Sequence, residues 1–534
     1  MSAHSLRVEP LKRTDEPTVR DAVFQLLKAY GLTTIFGNPG STELPMFRDM
    51  PEGFRYILGL QEAVVLGMAD GYAQATGNAA LVNLHSSAGV GHALGNLFTA
   101  YRNGTPLVVT AGQQARSILP FEPFLYAERS TEFPRPFVKW AVEPARAEDV
   151  PLAIMRAYHC AMQAPKGPVF VSIPIDDWER PVEPIKPRRV STIVRPDGEL
   201  LAEAAAGLAK ARRPVIVAGQ AVANNRARDA LVTLAERHRA AVWAAPMASR
   251  NVFPEGHPLF AGFLAASREA IVHALAGSDF VLVLGAPAFT YHVEGFGPFV
   301  PEGAELVQIV DDPAMADRAP EGLSIVGDVR AAVLGLIDGP APGPRVEPAP
   351  RARQPDPDPG RLTDALLIAR LEALRPKGIA ITEEAPSTRG PLHDFFRVRS
   401  DEEFHACASG GLGHALPAAV GVALGRPDTT VLCLLGDGSA MYSIQGLYTA
   451  AQLGLDIKFL IVNNGGYAAL EHFGSLFGIE VVGSKLPALD FVKIAEGQGV
   501  PGRRITAASE LDAAIEALFA GKGPQLLEVV VQPG

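Results

Sequence analysis

The chain has 534 residues, about twice the length at which a single hydrophobic core stops growing, so two to four domains are expected. Its 48 lysines and arginines against 58 aspartates and glutamates give a formal charge of −10 without any long basic run, which excludes the cationic surface that nucleic acid or an anionic membrane needs. A content of 20% charged and 48% hydrophobic residues excludes a disordered chain.

The sequence also lacks the marks of secretion. The first fifteen residues are polar and lack the apolar core of a signal peptide, and no stretch of eighteen uncharged apolar residues follows. The three cysteines, Cys160, Cys407 and Cys433, are too few for a disulfide framework and fit a reducing compartment. We therefore expect a soluble, cytoplasmic protein.

Apolar runs bounded by glycine alternate with stretches of helical period along the whole chain. Between residues 16 and 180 the runs are TTIFG, RYILGL, AALVNLH, PLVVTAG and GPVFVSIP. Between residues 190 and 338 they are PVIVAG, AAVWAAP, DFVLVLGAP and ELVQIVD, and between residues 361 and 534 they are IAITEE, TTVLCLLGDG, DIKFLIVNNGG and PQLLEVVVQ. Such runs are typical of strands buried on both faces. The alternation predicts three α/β domains with doubly wound parallel sheets.

Proline-rich stretches separate these three blocks. Residues 176–196 have prolines at positions 181, 184, 187 and 196, and residues 340–360 contain eight more. Proline removes a backbone donor and restricts φ, so both stretches are typical of extended linkers. The predicted domains are therefore 16–180, 190–338 and 361–534, with a linker over 339–360.

Two motifs in the last block carry the strongest chemical signal. The run TTVLCLL ends in GDGS, which contains Asp437 and Gly438, and the run KFLIV ends in NNGG, which contains Asn463 and Asn464. The 24 residues between Gly438 and Asn463 are enough for one helix that joins two adjacent parallel strands. Asp437 and Asn464 would then lie side by side at the carboxyl edge of the sheet, where open α/β sheets bind ligands.

The residue types at this edge suit a metal and a phosphate. A carboxylate, an amide oxygen and a backbone carbonyl are hard oxygen donors for Mg²⁺, and they leave positions for water and a phosphate ligand. The N–H groups that follow Gly438 would offer the phosphate an anion site. Either motif alone is explained as well by a turn, but the pair at this spacing favours a metal site.

The GDGS motif, the spacing of 24 residues and the NN pair together resemble the metal and diphosphate motif of thiamine-diphosphate-dependent enzymes. The resemblance covers nearly the whole chain, because the three blocks match that family's pyrimidine-binding, middle and diphosphate-binding domains in order. It implies thiamine diphosphate and Mg²⁺ as cofactors, with Asp437, Asn464 and the carbonyl of Gly466 as metal ligands. The cofactor-binding residues that it implies are Glu62, Ser387, Gly411, Leu412, Gly436, Asp437, Gly438, Ser439, Asn464, Gly466 and Tyr467.

Two of these residues would act on the coenzyme ring. On its own, Glu62 would be a helix-start glutamate favoured by the helix dipole, and Leu412 would be a core residue. In the family, a glutamate at the position of Glu62 hydrogen-bonds N1′ of the aminopyrimidine and favours the tautomer that activates the coenzyme. A large apolar residue at the position of Leu412 holds the coenzyme in its bent form.

Four motifs at strand ends resemble one branch of that family, the benzoylformate decarboxylases: GNPGS at 37–41, LHSSAG at 84–89, AGQQ at 111–114 and PAFTYH at 287–292. The resemblance implies that Ser41 binds the substrate carboxylate and that His85 and His292 move protons on the substrate. Imidazole exchanges protons near neutral pH, although a single histidine at a strand end is more often a packed residue. The implied substrate pocket consists of Ser41, Phe124, Leu125, Ala469 and Phe473.

Two departures from the branch lie near the expected pocket. Thr42 stands where the branch has an asparagine, and Pro386 stands where it has a threonine, so the preferred 2-oxo acid is left open. The expected reaction is the decarboxylation of an aromatic 2-oxo acid to an aldehyde and CO₂. The alternative is a carboligase resembling acetolactate synthase, an enzyme group that shares the glutamate and the metal motif but generally lacks the two histidines.

Two further functions are disfavoured. Gly89, Gly91 and Gly95 follow a strand and imitate a dinucleotide fingerprint, but residues 89–121 contain no acidic residue to hold the ribose hydroxyls. A non-catalytic paralogue would have little reason to keep Glu62 and His85 together with the metal motif. The middle block carries no clear nucleotide motif, so we assign it no ligand.

The resemblance also implies an assembly. The family places its coenzyme between the first domain of one subunit and the third domain of another. The expected form is therefore a homotetramer, built as a dimer of dimers, with active sites at subunit interfaces. Besides the small-molecule substrate, neither nucleic acid nor a membrane is expected as a partner.

Overall fold

The computed structural model describes residues 16–400 and 402–532. These residues form three six-stranded sheets in which all strand pairs are parallel, and helices flank each sheet. Parallel strands covered by helices are buried on both faces, which explains the continuous apolar runs. The predicted fold class, three doubly wound α/β units, is confirmed.

The first sheet contains the strands that carry the first set of candidate residues. Its strands are β1 (Thr34–Gly37), β2 (Arg55–Leu58), β3 (Ala80–Leu84), β4 (Leu107–Gln113), β5 (Ala141–Val142) and β6 (Val169–Pro174). Its helices are α1 (Val19–Ala29), α2 (Glu62–Thr76), α3 (Ser86–Asn103) and α4 (Val150–Met162). The strand order is β2-β1-β3-β4-β6-β5, so the ends of β1, β2 and β3 lie next to one another.

The second sheet has the order β12-β11-β10-β7-β8-β9. Its strands are β7 (Pro214–Ala218), β8 (Ala241–Ala244), β9 (Phe260–Phe263), β10 (Phe280–Leu284), β11 (Glu305–Val310) and β12 (Leu323–Val326). Its helices are α5 (Gly198–Lys210), α6 (Gln220–Asn224), α7 (Arg228–His238), α8 (Arg268–Ala274), α9 (Pro313–Ala316) and α10 (Val329–Ile337).

The third sheet has the order β14-β13-β15-β16-β18-β17. Its strands are β13 (Ala380–Glu384), β14 (Glu403–Ala406), β15 (Val431–Gly436), β16 (Ile457–Asn463), β17 (Gly502–Ile505) and β18 (Gln525–Val530). Its helices are α11 (Asp364–Leu374), α12 (Arg389–Phe395), α13 (Ala415–Gly425), α14 (Asp437–Met441), α15 (Gly446–Gln452), α16 (Ala468–Leu476), α17 (Phe491–Gly497) and α18 (Leu511–Ala520).

Short 3₁₀ helices and the proline-rich stretches complete the chain. The 3₁₀ helices span Leu44–Phe47, Leu119–Phe121, Ala147–Asp149, Pro386–Thr388 and Ala508–Glu510. Residues 341–358 form neither helix nor strand, while the domain boundaries and the linker over 339–360 stay predictions. None of the helices in the described ranges is both long enough and apolar enough to cross a bilayer.

Helices α2 and α13 join the first and third sheets in one hydrophobic core. Their backbones approach closely: a Cβ atom on Gly421 would overlap the carbonyl oxygen of Met68, and one on Gly71 would overlap that of Ala418. Asp70 and His414 form a buried ion pair between the two helices, with Oδ2 and Nε2 2.7 Å apart. The packing fixes the start of α2, where Glu62 lies, relative to the loop that carries Leu412.

Candidate active site

The first group of candidate residues lies at the carboxyl edge of the first sheet; we call it the first-sheet cluster, made of Asn38, Ser41, Glu43, Glu62, His85 and His92. Glu62 begins α2, where Gln61 is the N-cap and its side chain accepts hydrogen bonds from the N–H groups of residues 63 and 64. Asn38 Nδ2 donates to Glu62 Oε1 at 3.3 Å, and His92 Nδ1 lies 3.2 Å from Oε2. The Glu62 side chain is only 10% exposed, so both carboxylate oxygens are held inside the cluster.

The side chain of His85 is held by the carboxylate of Glu43, which no motif in the sequence marks. His85 directly follows β3 and is the N-cap residue of α3. Its Nδ1 lies 2.8 Å from Glu43 Oε2. Gly40 permits this contact, since a Cβ atom at that position would overlap the imidazole. Glu43 is buried, and it accepts further hydrogen bonds from Thr42 Oγ1 at 2.6 Å and from the N–H of Gly112 at 2.9 Å.

Ser41 and Thr42 lie in the turn between β1 and the first 3₁₀ helix. Ser41 is exposed, whereas Thr42 is buried, with its hydroxyl oxygen 3.2 Å from His85 Nδ1. The residue that departs from the family pattern therefore contacts the candidate catalytic histidine directly.

The second group lies at the carboxyl edge of the third sheet. β15 and β16 pair in parallel with Gly436 opposite Val462, so Asp437 and Asn464 come to the same edge, as the spacing predicts. The N–H of Gly466 donates to Asp437 Oδ2 at 2.9 Å and lies 3.3 Å from Asn464 Oδ1. One N–H group therefore lies within reach of both side-chain oxygens. Burial raises the pKa of Asp437, while hydrogen bonds from neighbouring backbone N–H groups oppose that rise.

A cavity of about 410 Å³, which we call the third-sheet cavity, opens at this edge. Ten of the predicted cofactor and pocket residues line it: Ser387, Leu412, Gly436, Asp437, Gly438, Ser439, Asn464, Gly466, Tyr467 and Ala469. Gly411 does not line it, although its neighbours Gly410 and Leu412 do. Pro386 is also part of the lining, so the second departure from the family pattern faces this cavity.

The donor set at the cavity fits a magnesium diphosphate. Asp437 and Asn464 supply hard oxygens, and the lining leaves volume for further ligands. The predicted anion site is only partly free, since the N–H of Gly438 donates to Oδ1 of Asp437 at 2.7 Å. A cation at Asp437 would compete with that bond.

A buried glutamate holds the loop that carries Leu412. Glu384, at the end of β13, accepts hydrogen bonds from the N–H of Gly413 at 2.6 Å and from those of His414 and Ala415 at 2.8 Å each. Burial raises the pKa of Glu384, and the three N–H donors oppose the rise. No motif in the sequence marks Glu384, because its partners lie 29–31 positions further along the chain.

His292 comes from the second sheet and packs against α16, the helix that carries the cavity-lining Ala469. It follows β10, and its backbone N–H donates to Ala266 O at 2.8 Å. Its imidazole stacks on Phe473, with ring centroids 5.0 Å apart and planes 22° from parallel. Phe473 lies one turn after the cavity-lining Ala469 on α16, so three predicted residues from two parts of the chain meet at this helix.

The other predicted residues do not meet the third-sheet cavity within one chain. Glu62, His85 and Ser41 are not among its lining residues. Phe124 is 86% exposed, and Leu125 has a left-handed backbone with a φ of 65°. The candidate residues of a single chain thus form two separate groups.

Three residues of the first-sheet cluster were missed by sequence reasoning: Asn38, Glu43 and His92. Asn38 and Glu43 flank Ser41 in the GNPGSTE segment, so their position at the same strand end was an available signal. His92 had no such signal, because its contact with Glu62 joins two different helices.

Comparison with known proteins gives three family matches along the chain. Models of thiamine pyrophosphate enzymes match residues 17–129 (N-terminal TPP binding domain), 201–336 (central domain) and 387–529 (C-terminal TPP binding domain). The benzoylformate decarboxylase of Pseudomonas aeruginosa is 42% identical over 522 residues, which cover 96% of this chain and 99% of that protein.

Solved structures give the same result. The benzoylformate decarboxylase of Polynucleobacter necessarius superimposes with a TM-score of 0.93 at 39% identity, covering 96% of this chain and 98% of that one. A thiamine diphosphate-dependent 4-hydroxybenzoylformate decarboxylase of Rhodococcus jostii has a TM-score of 0.92 at 40% identity and covers 97% of this chain and 100% of its own.

Proposed function

The chain belongs to the thiamine pyrophosphate enzyme family as a 2-oxo acid decarboxylase, and we propose that it converts an aromatic 2-oxo acid to an aldehyde and CO₂ with Mg²⁺ as its metal. The observation that carries the choice of substrate is the stacked pair of His292 and Phe473, one helical turn from Ala469, which lines the third-sheet cavity. An imidazole next to an aromatic ring offers a proton carrier and an apolar surface to one substrate.

We propose that Asp437, Asn464 and the carbonyl of Gly466 hold Mg²⁺ and, through it, the diphosphate. This proposal is supported by the positions of Asp437 Oδ2 and Asn464 Oδ1, which both lie within 3.3 Å of the N–H group of Gly466 and are therefore close to each other. When bound, thiamine diphosphate supplies the nucleophilic carbon and the electron sink that the loss of CO₂ requires. Leu412 would support the ring of the coenzyme from the same cavity.

We propose a task for each of four predicted catalytic residues, three at the first-sheet edge and His292 from the second sheet. Glu62 holds a proton at N1′ of the aminopyrimidine, and Ser41 hydrogen-bonds the substrate carboxylate. His85 gives and takes a proton at the substrate oxygen, and His292 does so at the substrate carbon. These tasks suit a largely buried carboxylate and imidazole side chains, whose ring nitrogens can both donate and accept a proton.

We propose a substrate pocket formed by Ala469 and Phe473 together with Phe124 and Leu125. A large aromatic side chain such as Phe124, 86% exposed in one chain, is costly to leave in water. An apolar pocket would favour benzoylformate or its 4-hydroxy form over pyruvate, because an aromatic ring gains more from leaving water than a methyl group does.

We propose that the working form is a homotetramer, a dimer of dimers in the cytoplasm. The third-sheet cavity of one chain lacks Glu62 and His85, so a second copy would have to bring its first-sheet cluster to that cavity. A reducing compartment suits the three free cysteines.

A substrate panel on protein reconstituted with thiamine diphosphate and Mg²⁺ tests the proposal. We expect aldehyde and CO₂ from benzoylformate and 4-hydroxybenzoylformate, with lower kcat/KM for branched-chain 2-oxo acids and pyruvate. Asp437→Asn provides the matched control, because it keeps the side-chain volume but removes the charge at the metal. Acyloin as the main product would favour the carboligase, and absence of turnover with every acid would contradict the proposal.

A further inference from the structure

The carboxylate of Glu43 is buried and surrounded by donors on every side that the structure describes. The residue is only 1% exposed. Its Oε1 accepts from Thr42 Oγ1 and from the N–H of Gly112, and its Oε2 accepts from the N–H of Gly40 at 3.2 Å and lies 2.8 Å from His85 Nδ1. A carboxylate with four such neighbours acts as an acceptor towards all of them.

We propose that Glu43 is a positioning residue for the decarboxylation and sets the tautomer of His85. An ionised carboxylate cannot donate, so the hydrogen between the two side chains must be carried by His85 Nδ1. The Nε2 atom of His85 then stays free to accept a proton from, or return it to, the substrate oxygen. This inference rests on the proposed function, because it gives His85 the proton-transfer task described there.

The neighbouring hydroxyl supports the same assignment. Thr42 Oγ1 lies 2.6 Å from Glu43 and 3.2 Å from His85 Nδ1. When the Thr42 hydroxyl donates its hydrogen to the Glu43 carboxylate, the hydroxyl oxygen can accept a second hydrogen bond from the Nδ1–H group of His85. Both neighbours of Nδ1 therefore favour the tautomer that leaves Nε2 without a hydrogen.

Proton transfer through this pair balances without any other reactant. When Nε2 takes a proton, His85 becomes an imidazolium that keeps its Nδ1–H bond to the Glu43 anion. When Nε2 returns the proton, the imidazole becomes neutral again in the same tautomer. The carboxylate stabilises the charged form without taking up the proton itself, as in a catalytic triad.

Glu43 could instead only hold the turn in place, and a double-mutant cycle separates the two roles. Glu43→Gln keeps the volume, but its amide can donate to Nδ1 and so favour the tautomer with hydrogen on Nε2. If Glu43 acts through His85, Glu43→Gln should lower kcat on the order of 10²-fold, with a smaller change in KM. In a His85→Ala background the same substitution should change kcat by less than about threefold.

The measurements are aldehyde release by the reconstituted enzyme, coenzyme affinity and thermal unfolding of each variant. Asp177→Asn is the matched control, because Asp177 is also 1% exposed and bound to Arg116 in the same part of the chain. Asp177→Asn is expected only to destabilise the fold, so it should change kcat by the same factor in the wild-type protein and in the His85→Ala protein. If Glu43→Gln does not fold, Glu43→Asp takes its place in the cycle.

Two results would overturn the inference while the proposed function stands: full activity of Glu43→Gln, or losses that multiply in the double variant. A multiplied loss would mean that Glu43 acts independently of His85. Absence of aldehyde from the wild-type enzyme with every acid would instead overturn the proposed function and this inference with it.

Discussion

At the scale of single residues, Glu62 has the most specific proposed task, because only a carboxylate can share a proton with the coenzyme ring. Its two carboxylate oxygens are held by Asn38 and His92, and the side chain is largely removed from water. The substitution Glu62→Gln preserves the volume but removes the group that can share a proton with the coenzyme ring. We expect kcat to fall on the order of 10²-fold or more, measured as aldehyde release at saturating coenzyme.

The stability of the Glu62→Gln protein is the control for that measurement. An amide of the same shape leaves no void, so the unfolding temperature of the coenzyme-free protein should stay close to that of the wild type. Turnover near the wild-type level would contradict the assignment of Glu62 as the residue that activates the coenzyme.

The sequence predicts which residues lie close together when regular strands and helices set the spacing between them. Asp437 and Asn464 could be paired because two adjacent buried strands end at the same edge, and they do reach it. The expectation of one helix between these strands was wrong, since two short helices, α14 and α15, join them. Glu43 and Glu384 could not be found in this way. Their partners, His85 and the loop at residues 413–415, lie 29 to 42 positions away along the chain, and turn geometry sets these contacts rather than periodicity.

At the scale of elements, the close packing of α2 against α13 fixes the relative position of the first and third sheets within one chain. Gly421 allows it, since any Cβ atom there would overlap the backbone of Met68. Gly421→Ala should therefore lower the free energy of unfolding by at least about 1–3 kcal/mol, because the helices must separate to admit the methyl group. Denaturant unfolding followed by circular dichroism would measure the loss.

Gly95→Ala is the matched control for this prediction. Gly95 lies in the exposed part of the long helix α3, and a Cβ atom there would contact nothing within 4 Å. The change should leave the protein unaffected or stabilise it by about 0.5–1 kcal/mol, as expected for glycine replaced by alanine in a helix. Equal stability of the Gly421→Ala and Gly95→Ala proteins would show that the helix contact does not require glycine.

The three sheets show which strands can be predicted from the sequence and which cannot. The apolar runs predict every interior strand, but they miss β5, β9, β12, β14 and β17, each of which lies at the edge of its sheet. An edge strand pairs on one side only and is partly exposed, as in β17, where Arg503 and Arg504 face solvent. These five strands have no continuous apolar run, unlike the edge strand β2, so their place in the sheet depends on the partner strand that is already there.

At the scale of the whole molecule, the candidate residues fall into two groups that a single chain does not join. The third-sheet cavity is lined by residues 385–483, whereas Glu62, Ser41 and His85 lie at the first sheet. The motifs alone give no indication of this division, because distance along the sequence does not distinguish contacts within one chain from contacts between copies. Only the family resemblance predicts a shared site.

Mixing two inactive variants tests whether two copies build each site. Glu62→Gln damages only the first-sheet cluster, and Asp437→Asn damages only the third-sheet cavity.

If each site joins the first-sheet cluster of one copy to the cavity of the other, a mixed dimer holds one site with both defects and one intact site. Random pairing of equal amounts should restore activity to about a quarter of the sites, since half of the dimers are mixed. Co-expression with two affinity tags, followed by an assay of the whole mixture, would measure this gain, and the doubly tagged mixed dimers should have about half of their sites intact. A site built within one chain would carry a defect in every copy, so a doubly tagged fraction as inactive as the parent variants would contradict the shared site.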